Sequence, residues 1–270
     1  MAINLYIALI LNKVVNKDLY QMKKTGGLTP NQERLLSILE YKKYKTIKRA
    51  DLISLILKYE ISKNPKYLIK SMLQKKRVIP FKRGNYLVIP MSSVNKSVEI
   101  TEFELNEYLL ESKDYYIGLY NALNLYGFTN QIPNKIFIFN TKYSFDKQIL
   151  HYKFKYFKIR KNKLFGILKK YKYPYSDRER TIIDVLDYDG YLGGLGNVMD
   201  IIMMSKYNKK RLIDYSIKYD SIKIMKIIGL ITNSSKLFNL LKKNGALSYY
   251  TNINKTGDKL INKKWKIRMI

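Results

Sequence analysis

Apolar residues recur at helical spacing in three successive stretches near the N-terminus. The first, 29–42, opens with Thr-Pro-Asn-Gln, which offers a capping box and a proline at the first helical position. The second covers 48–59. The third, 65–76, follows Asn64 as a capping residue and begins with Pro65. We therefore predict three short helices in succession.

The spacing of apolar residues then changes from that of a helix to that of a strand. Residues 78–81 and 86–89 read as two short strands, joined by a basic turn at residues 82–85. Gly84 supplies the positive φ that a tight hairpin requires. Three helices followed by a basic hairpin is the order of a winged helix-turn-helix, which we place at residues 29–94.

The remainder of the chain mixes both kinds of pattern without an internal repeat. The predicted helices begin at Thr101 and Ser176, each with a capping box, and cover 115–126, 197–206, 209–219, 221–230 and 234–243. The predicted strands cover 136–139, 152–156 with a bulge or bend after Tyr156, 249–253 and 265–270. The predicted fold class is α+β: an extension at 1–28, the winged helix-turn-helix at 29–94, and a larger mixed α/β domain at 95–270.

An apolar run at residues 3–11 is too short to cross a bilayer, which takes about 20 residues. It also lacks the charged start and the cleavage site of a signal peptide. We expect this run to form a helix or strand that packs on the protein or in a dimer interface. The protein is accordingly expected to be cytoplasmic and to have no membrane partner.

The net charge of the chain indicates a polyanionic partner. The formal net charge is +30, from 51 Lys and Arg against 21 Asp and Glu, and such a chain attracts polyanions. The excess of Lys over Arg, with abundant Ile, Asn and Tyr, is also typical of an AT-rich genome. Residues 1–94 carry 19 Lys and Arg against 5 Asp and Glu, whereas residues 95–270 carry 32 against 16. DNA contact is therefore expected in the N-terminal third.

In a helix-turn-helix, the second helix of the pair lies in the major groove. On the helix at 65–76, Gln74 is suited to adenine and the lysines to guanine or phosphate. Arg83 at the hairpin is suited to the minor groove, and Lys48 and Arg49 to phosphate. The candidate DNA-contacting residues are Lys48, Arg49, Lys63, Asn64, Lys66, Tyr67, Lys70, Ser71, Gln74, Lys82 and Arg83. The alternative is that these are the solvated faces of a lysine-rich protein.

Catalytic chemistry has few candidates. The chain has no cysteine and a single histidine, His151, which excludes disulfides, thiolate metal sites and histidine-based constellations. The glycine-rich segment 193–196 lacks the Gly-Lys-Ser/Thr of a phosphate-binding loop, so a helix–helix turn explains it better. We expect no enzymatic activity, no metal and no cofactor.

An acidic cluster is the main feature that points to an enzyme, since carboxylates at this density can bind Mg²⁺ in a nuclease. Its members are Asp177, Glu179, Asp184, Asp187 and Asp189. However, Glu179 fits a capping box with Ser176, and Asp184 lies on the helix beside Arg178 and Arg180. Capping and ion pairing are therefore favoured over catalysis.

A Lys/aromatic alternation at residues 152–160 allows two further interpretations. Its rings suit stacking with single-stranded RNA bases, whereas an edge strand protected by lysines is the commoner cause of such a pattern.

Several segments together resemble the AbiEi family of type IV antitoxins, which look like viral-defence transcriptional regulators. The similarity spans about residues 29–270, and its order and spacing are more specific than any single motif. The segments that carry it are 83–90 (RGNYLVIP), 122–133 (ALNLYGFTNQIP), 175–184 (YSDRERTIID), Gly193-Gly194 and Trp265. A departure occurs at residues 226–230 (KIIGL), where the family often has Arg-Arg-Leu-Gly.

The resemblance implies a DNA-binding repressor of its own operon that counteracts a nucleotidyltransferase-type toxin, without a stable complex between them. The operator would be an inverted repeat in double-stranded DNA, bound by a dimer or by two monomers. Two alternatives are a stand-alone transcriptional regulator without a toxin and a metal-dependent nucleic-acid enzyme that uses the acidic cluster.

Overall fold

The structure, a computed structural model, describes residues 27–93, 100–110, 112–253 and 260–269. The apolar run at 3–11 lies outside these residues. Ten α-helices and twelve strands in three sheets occur in the described part, so the α+β class is confirmed. The described residues divide into two compact units, up to Leu109 and from Leu110 onward.

The first unit combines helices with a small sheet. Its elements are α1 (Pro30–Tyr41), β1 (Thr46–Lys48), α2 (Arg49–Lys58), α3 (Pro65–Gln74), β2 (Val78–Lys82), β3 (Asn85–Val88) and all but the last residue of α4 (Glu102–Leu110). The sheet is antiparallel in the order β1-β3-β2. The three helices and the hairpin agree with the sequence-based prediction, whereas β1 was not predicted and its last residue, Lys48, was assigned to the second helix.

Leucine and isoleucine side chains from all of the first three helices meet in one core. Leu36, Leu52 and Ile69 are fully or almost fully buried there, together with Val78 and Val88 from the hairpin. Each helix therefore turns its apolar stripe toward the sheet and its polar residues outward.

Helix α4 is capped by the residue before it and contacts side chains from earlier elements of the first unit. Thr101 and Glu104 form the expected capping box, since each backbone N–H donates to the other's side chain at 3.2 Å. Lys45 Nζ lies 3.1 Å from Glu104 Oε2, and Lys82 Nζ donates to the Leu109 carbonyl at 3.1 Å. The boundary between the units, Leu109/Leu110, accordingly lies at the last residue of α4, later in the chain than the predicted limit at residue 94.

The second unit is built on a mixed six-stranded sheet in the order β6-β7-β5-β4-β9-β8, with helices packed on it. The strands of this sheet are β4 (Tyr115–Ile117), β5 (Ile136–Asn140), β6 (Phe145–Ile149), β7 (Tyr152–Lys158), β8 (Ile167–Lys170) and β9 (Tyr173–Ser176). The helices are α5 (Tyr120–Leu125), α6 (Arg178–Asp187), α7 (Leu195–Met204), α8 (Lys209–Tyr219), α9 (Ile222–Thr232) and α10 (Ser235–Lys243). A smaller sheet, in the order β10-β12-β11, contains β10 (Thr251–Ile253), β11 (Leu260–Asn262) and β12 (Ile267–Met269).

The predicted helix at 115–126 is wrong in its first half. Tyr115–Ile117 is the strand β4, because its buried aromatic and β-branched side chains suit the middle of a sheet. A Cβ at Gly118 would lie 2.7 Å from the Phe139 ring, so the chain passes tightly over β5 there. Only Tyr120–Leu125 is helical, and Gly127 with φ +69° ends it as expected.

Strand β7 overturns both interpretations of the Lys/aromatic alternation. It pairs with β6 on one side and β5 on the other without a register shift, so it has neither a bulge after Tyr156 nor a free edge. Phe154, Tyr156 and Phe157 are buried, and therefore unavailable for stacking with RNA bases.

The glycine pair at residues 193–194 makes the expected turn between helices. Gly193 (φ +78°) and Gly194 (φ +93°) connect a short 3-10 helix at Asp189–Leu192 to α7. Of the helices that the structure describes, none has the length and apolar character needed to cross a membrane.

Gly229 in α9 makes room for Trp265, the one tryptophan of the chain. A Cβ at Gly229 would lie 2.2 Å from the Trp265 ring, which is 2% exposed. We therefore expect Gly229→Ala to lower the free energy of unfolding by about 1–3 kcal/mol, the cost of overpacking, as measured by urea denaturation. Gly190→Ala is the matched control, because open space surrounds a Cβ there. Equal stability of the two variants would contradict this packing.

Candidate nucleic-acid interface

An N-terminal cap fixes the start of helix α3, and an apolar stripe fixes which side of the helix faces the core. Asn64 Oδ1 accepts the Tyr67 backbone N–H at 3.1 Å, and Pro65 occupies the first helical position. Leu68, Ile69 and Met72 are buried against the core. The opposite side of α3 therefore faces away from the core of the first unit.

This outer face of α3 carries Lys66, Tyr67, Lys70 and Gln74, all of which are exposed, Tyr67 by 71%. No acidic residue occurs among the ten residues of α3. Lys66 and Lys70 form no ion pair with any residue that the structure describes. The face thus presents two uncompensated cations, a phenol and an amide on one rigid helix.

Ser71, expected among the outward residues, is instead half-buried at the edge of the apolar stripe. Its hydroxyl accepts a hydrogen bond from Gln32 Nε2 at 2.8 Å and donates one to the Leu68 carbonyl at 2.8 Å. Gln32 is itself buried and also accepts the Thr29 backbone N–H through Oε1 at 2.9 Å. Ser71 therefore links α3 to α1, and it is no longer a candidate for contacting bases.

The start of α2 and the tip of the hairpin lie next to each other. Lys48 is paired with Asn85 in the sheet, and the Arg49 backbone N–H donates to the Gly84 carbonyl at 2.8 Å. The turn consists of Arg83 and Gly84, whose φ of +70° confirms the need for glycine. Lys48, Arg49 and Arg83 are exposed, so three cations cluster at this tip.

The two remaining candidates differ in placement. Lys63 is exposed immediately before the cap of α3. Lys82 is half-buried and donates to the end of α4, so it does not project from the hairpin tip as expected. Its carbonyl partner comes from a segment 27 residues later in the chain, which the local pattern of the hairpin does not contain.

Electrostatics distinguish this part of the first unit. Residues 45–85 contain 12 Lys and Arg but only Asp51 and Glu60 as acids. Lys48, Arg49 and Arg83 form no ion pair within the described ranges. Cations left unpaired in this way repel one another, and a polyanion that binds them relieves the repulsion.

The carboxylates of the acidic cluster form hydrogen bonds and ion pairs within the second unit. Asp177 caps α6 by accepting the Arg180 backbone N–H at 2.7 Å, and it also accepts the Tyr215 hydroxyl at 2.9 Å. Glu179 accepts the Asn208 backbone N–H at 2.6 Å and lies 3.4 Å from Arg211 Nη1. The predicted capping box between Ser176 and Glu179 is therefore wrong, because Asp177 supplies the cap.

Asp184 forms the expected ion pair on α6, at full burial. Its Oδ1 lies 2.9 Å from Arg180 Nη2, and both side chains are 0% exposed. The Tyr116 hydroxyl donates to Asp184 Oδ1 at 3.1 Å and accepts from Arg180 Nη2 at 2.6 Å. Burial raises the pKa of Asp184 to about 7, against the opposing effect of the Arg180 guanidinium.

The last two acids are also paired: Asp187 accepts the Tyr219 hydroxyl, and Asp189 lies 3.6 Å from Lys223 Nζ. Throughout the described ranges, no group of three or more acidic or histidine side chains is arranged to hold a metal ion.

Comparison with known proteins finds a structure of similar fold and no match to a known family. No protein-family model and no curated protein matches the chain. The crystal structure of the RV2827C protein from Mycobacterium tuberculosis is similar, with a TM-score of 0.64 over 90% of this chain and 92% of that one. The two chains share a fold. Their sequence identity of 11% carries no residue roles from one to the other.

Proposed function

We propose that the first unit is a winged helix-turn-helix that binds double-stranded DNA. Three features support this: the chain order α1-β1-α2-α3-β2-β3, the sheet order β1-β3-β2, and a basic two-residue turn in the hairpin. In this interpretation α2 and α3 are the helix-turn-helix pair, α3 is the recognition helix, and β2–β3 is the wing.

The observation that carries the proposal is the outer face of α3, which is exposed, cationic and unpaired. Lys66 and Lys70 reach guanine edges or phosphates, and Gln74 has the amide geometry for adenine N6 and N7. Arg83 enters the adjacent minor groove, while Lys48 and Arg49 fix the phosphate backbone. Phosphate contacts thus position the protein, and α3 reads the sequence.

We further propose that the protein represses its own operon at an inverted repeat and acts as a type IV antitoxin against a nucleotidyltransferase-type toxin. This part rests on the resemblance of about residues 29–270 to AbiEi antitoxins. One position of the family's pattern is unavailable for contact with a toxin in this protein. Lys226, where the family often has a basic pair, is buried and donates to the Tyr249 carbonyl and Thr251 Oγ1, each at 2.9 Å.

A neutralising surface in this protein must therefore use other residues, since Lys226 is unable to reach a partner. The identity of the neighbouring gene distinguishes the antitoxin hypothesis from that of a stand-alone regulator. A nucleotidyltransferase reading frame beside this one, whose toxicity falls on co-expression of this protein, supports the antitoxin. A toxicity that co-expression leaves unchanged contradicts it.

DNA binding is expected to depend steeply on salt. If the winged helix contacts about six phosphates, affinity for the upstream DNA falls on the order of 10³-fold between about 50 and about 200 mM salt. Fluorescence anisotropy of a labelled upstream duplex measures this. Absence of binding at the lower salt concentration, or an affinity that does not change with salt, would contradict the proposal.

A further inference from the structure

The hairpin β8–β9 in the second unit has a strained tip. Its two-residue turn consists of Tyr171 (φ +49°) and Lys172 (φ +75°). Turns with two positive φ values strongly favour Asn-Gly, because glycine has no Cβ and asparagine tolerates a positive φ better than most other side chains. Tyr171 is 79% exposed, so burial of the ring within the unit does not offset this strain. Strained residues of this kind concentrate at functional sites.

The same hairpin forms one wall of an open cleft of about 380 Å³. Leu168, Lys170 and Tyr171 line it from the hairpin, Tyr126 from the end of α5, and Arg178 from the start of α6. The volume lies within the roughly 300–1,000 Å³ of small-molecule sites. The cleft also joins two segments that the sequence analysis singled out, 122–133 and 175–184, which the DNA-binding proposal leaves without a role.

The charges in this cleft favour an anion. Lys170 and Arg178 are exposed and form no ion pair in the described part of the chain, and Arg211 lies beside them. The two carboxylates that line the cleft, Asp177 and Glu179, accept hydrogen bonds from α6 itself and from α8 and the turn before it. Arg211 is shared with Glu179 at 3.4 Å but remains half exposed.

The cleft also offers flat apolar surface. The Tyr126 hydroxyl donates to the Ser176 carbonyl at 2.7 Å, which fixes the ring, and the Arg178 guanidinium lies 5.6 Å from the ring centroid. Tyr171 and Leu168 expose apolar surface on the opposite wall. Nucleobases stack on aromatic rings of this kind, while neighbouring cations bind phosphate.

We propose that this cleft binds a nucleoside phosphate with an unpaired base, the base stacked on Tyr171 and the phosphate held by Lys170 and Arg178. The ligand is either a free nucleotide or one nucleotide of a single strand. The site is separate from α3 and does not rest on the DNA-binding proposal.

The test uses the full chain carrying Lys66→Glu and Lys70→Glu, so that duplex contacts of the first unit do not contribute. A fluorescein-labelled single-stranded oligothymidylate reports binding by anisotropy, with AMP, ATP and unlabelled strand as competitors. We expect binding, and we expect Lys170→Glu/Arg178→Glu to weaken it at least about ten-fold. Lys242→Glu/Lys243→Glu, exposed on α10, is the control of equal charge and is expected to bind as before.

The turn provides a second variant that separates ligand binding from folding. Tyr171→Asn/Lys172→Gly relieves the strain, so its thermal midpoint is expected to stay equal or rise, while affinity falls about ten-fold with the loss of ring stacking. Tyr171→Phe is expected to retain binding. Competition by AMP or ATP identifies a free-nucleotide site, and competition by the strand alone identifies a strand site. No binding, or equal losses in the cleft variants and the α10 control, would overturn the proposal.

Discussion

Replacing Asp184 with alanine is expected to lower the free energy of unfolding by about 3–5 kcal/mol. The substitution leaves the Arg180 guanidinium at 0% exposure without its carboxylate partner. Arg180 Nη1 already lacks a hydrogen-bond partner among the described residues, so the remaining contact with the Tyr116 hydroxyl is unable to compensate for the lost charge. Urea denaturation followed by circular dichroism measures the effect.

Asp214→Ala is the matched control for this variant. Asp214 pairs with Lys236 at 2.7 Å on the surface, and such pairs contribute about 0–1 kcal/mol. Replacing both Arg180 and Asp184 with apolar residues is expected to restore much of the stability, because no unpaired charge remains. An Asp184→Ala protein as stable as the Asp214→Ala control would contradict the structural role. Magnesium-dependent cleavage of DNA or RNA by the wild-type protein would support the enzyme hypothesis.

Charge reversal on α3 is expected to have the largest effect on DNA binding. Lys66→Glu/Lys70→Glu removes two exposed cations that the proposal places in the major groove, and would put two carboxylates against phosphate. Base contacts are worth about 1–3 kcal/mol each, so we expect at least a 10²-fold loss of affinity for the upstream duplex. Both residues are exposed, and the free energy of unfolding should change by only about 0.5 kcal/mol.

Arg34→Glu/Lys42→Glu is the control of equal charge for this pair, since both residues are exposed cations, on α1 and at its C-cap, in the same unit and outside the proposed interface. Anisotropy titrations at fixed salt compare the three proteins. Losses of similar size in the α3 and α1 variants would mean that net charge, rather than the face of α3, determines binding.

The helices of the first unit were predictable because their signals are local. The cap at Asn64, the prolines and the spacing of Leu68, Ile69 and Met72 all lie within one short segment. Strand β1 was missed since its three residues are stabilised by pairing with β3, some 40 residues later, a partner that the local pattern does not reveal. The short strand β4 was missed for the same reason.

The candidate site was predictable in outline and not in detail. Periodicity indicates which face of α3 is apolar, but Ser71 lies at its border, and its contact with Gln32 decides its orientation. Lys82 depends likewise on a carbonyl at the end of α4. In the second unit, the Arg180–Asp184 pair follows from helical spacing, whereas Tyr116 lies 64 residues before Arg180 and no sequence signal links them.

The proposed function requires that the protein recognise a specific DNA sequence through α3. DNase I footprinting on the DNA upstream of its own gene measures this recognition. We expect the wild-type protein to protect an inverted repeat, with half-sites about one helical turn apart or a multiple of it, and Lys66→Glu/Lys70→Glu to protect nothing at the same concentration. An unprotected upstream region, or a footprint that the α3 variant retains in full, would mean that α3 does not recognise this DNA.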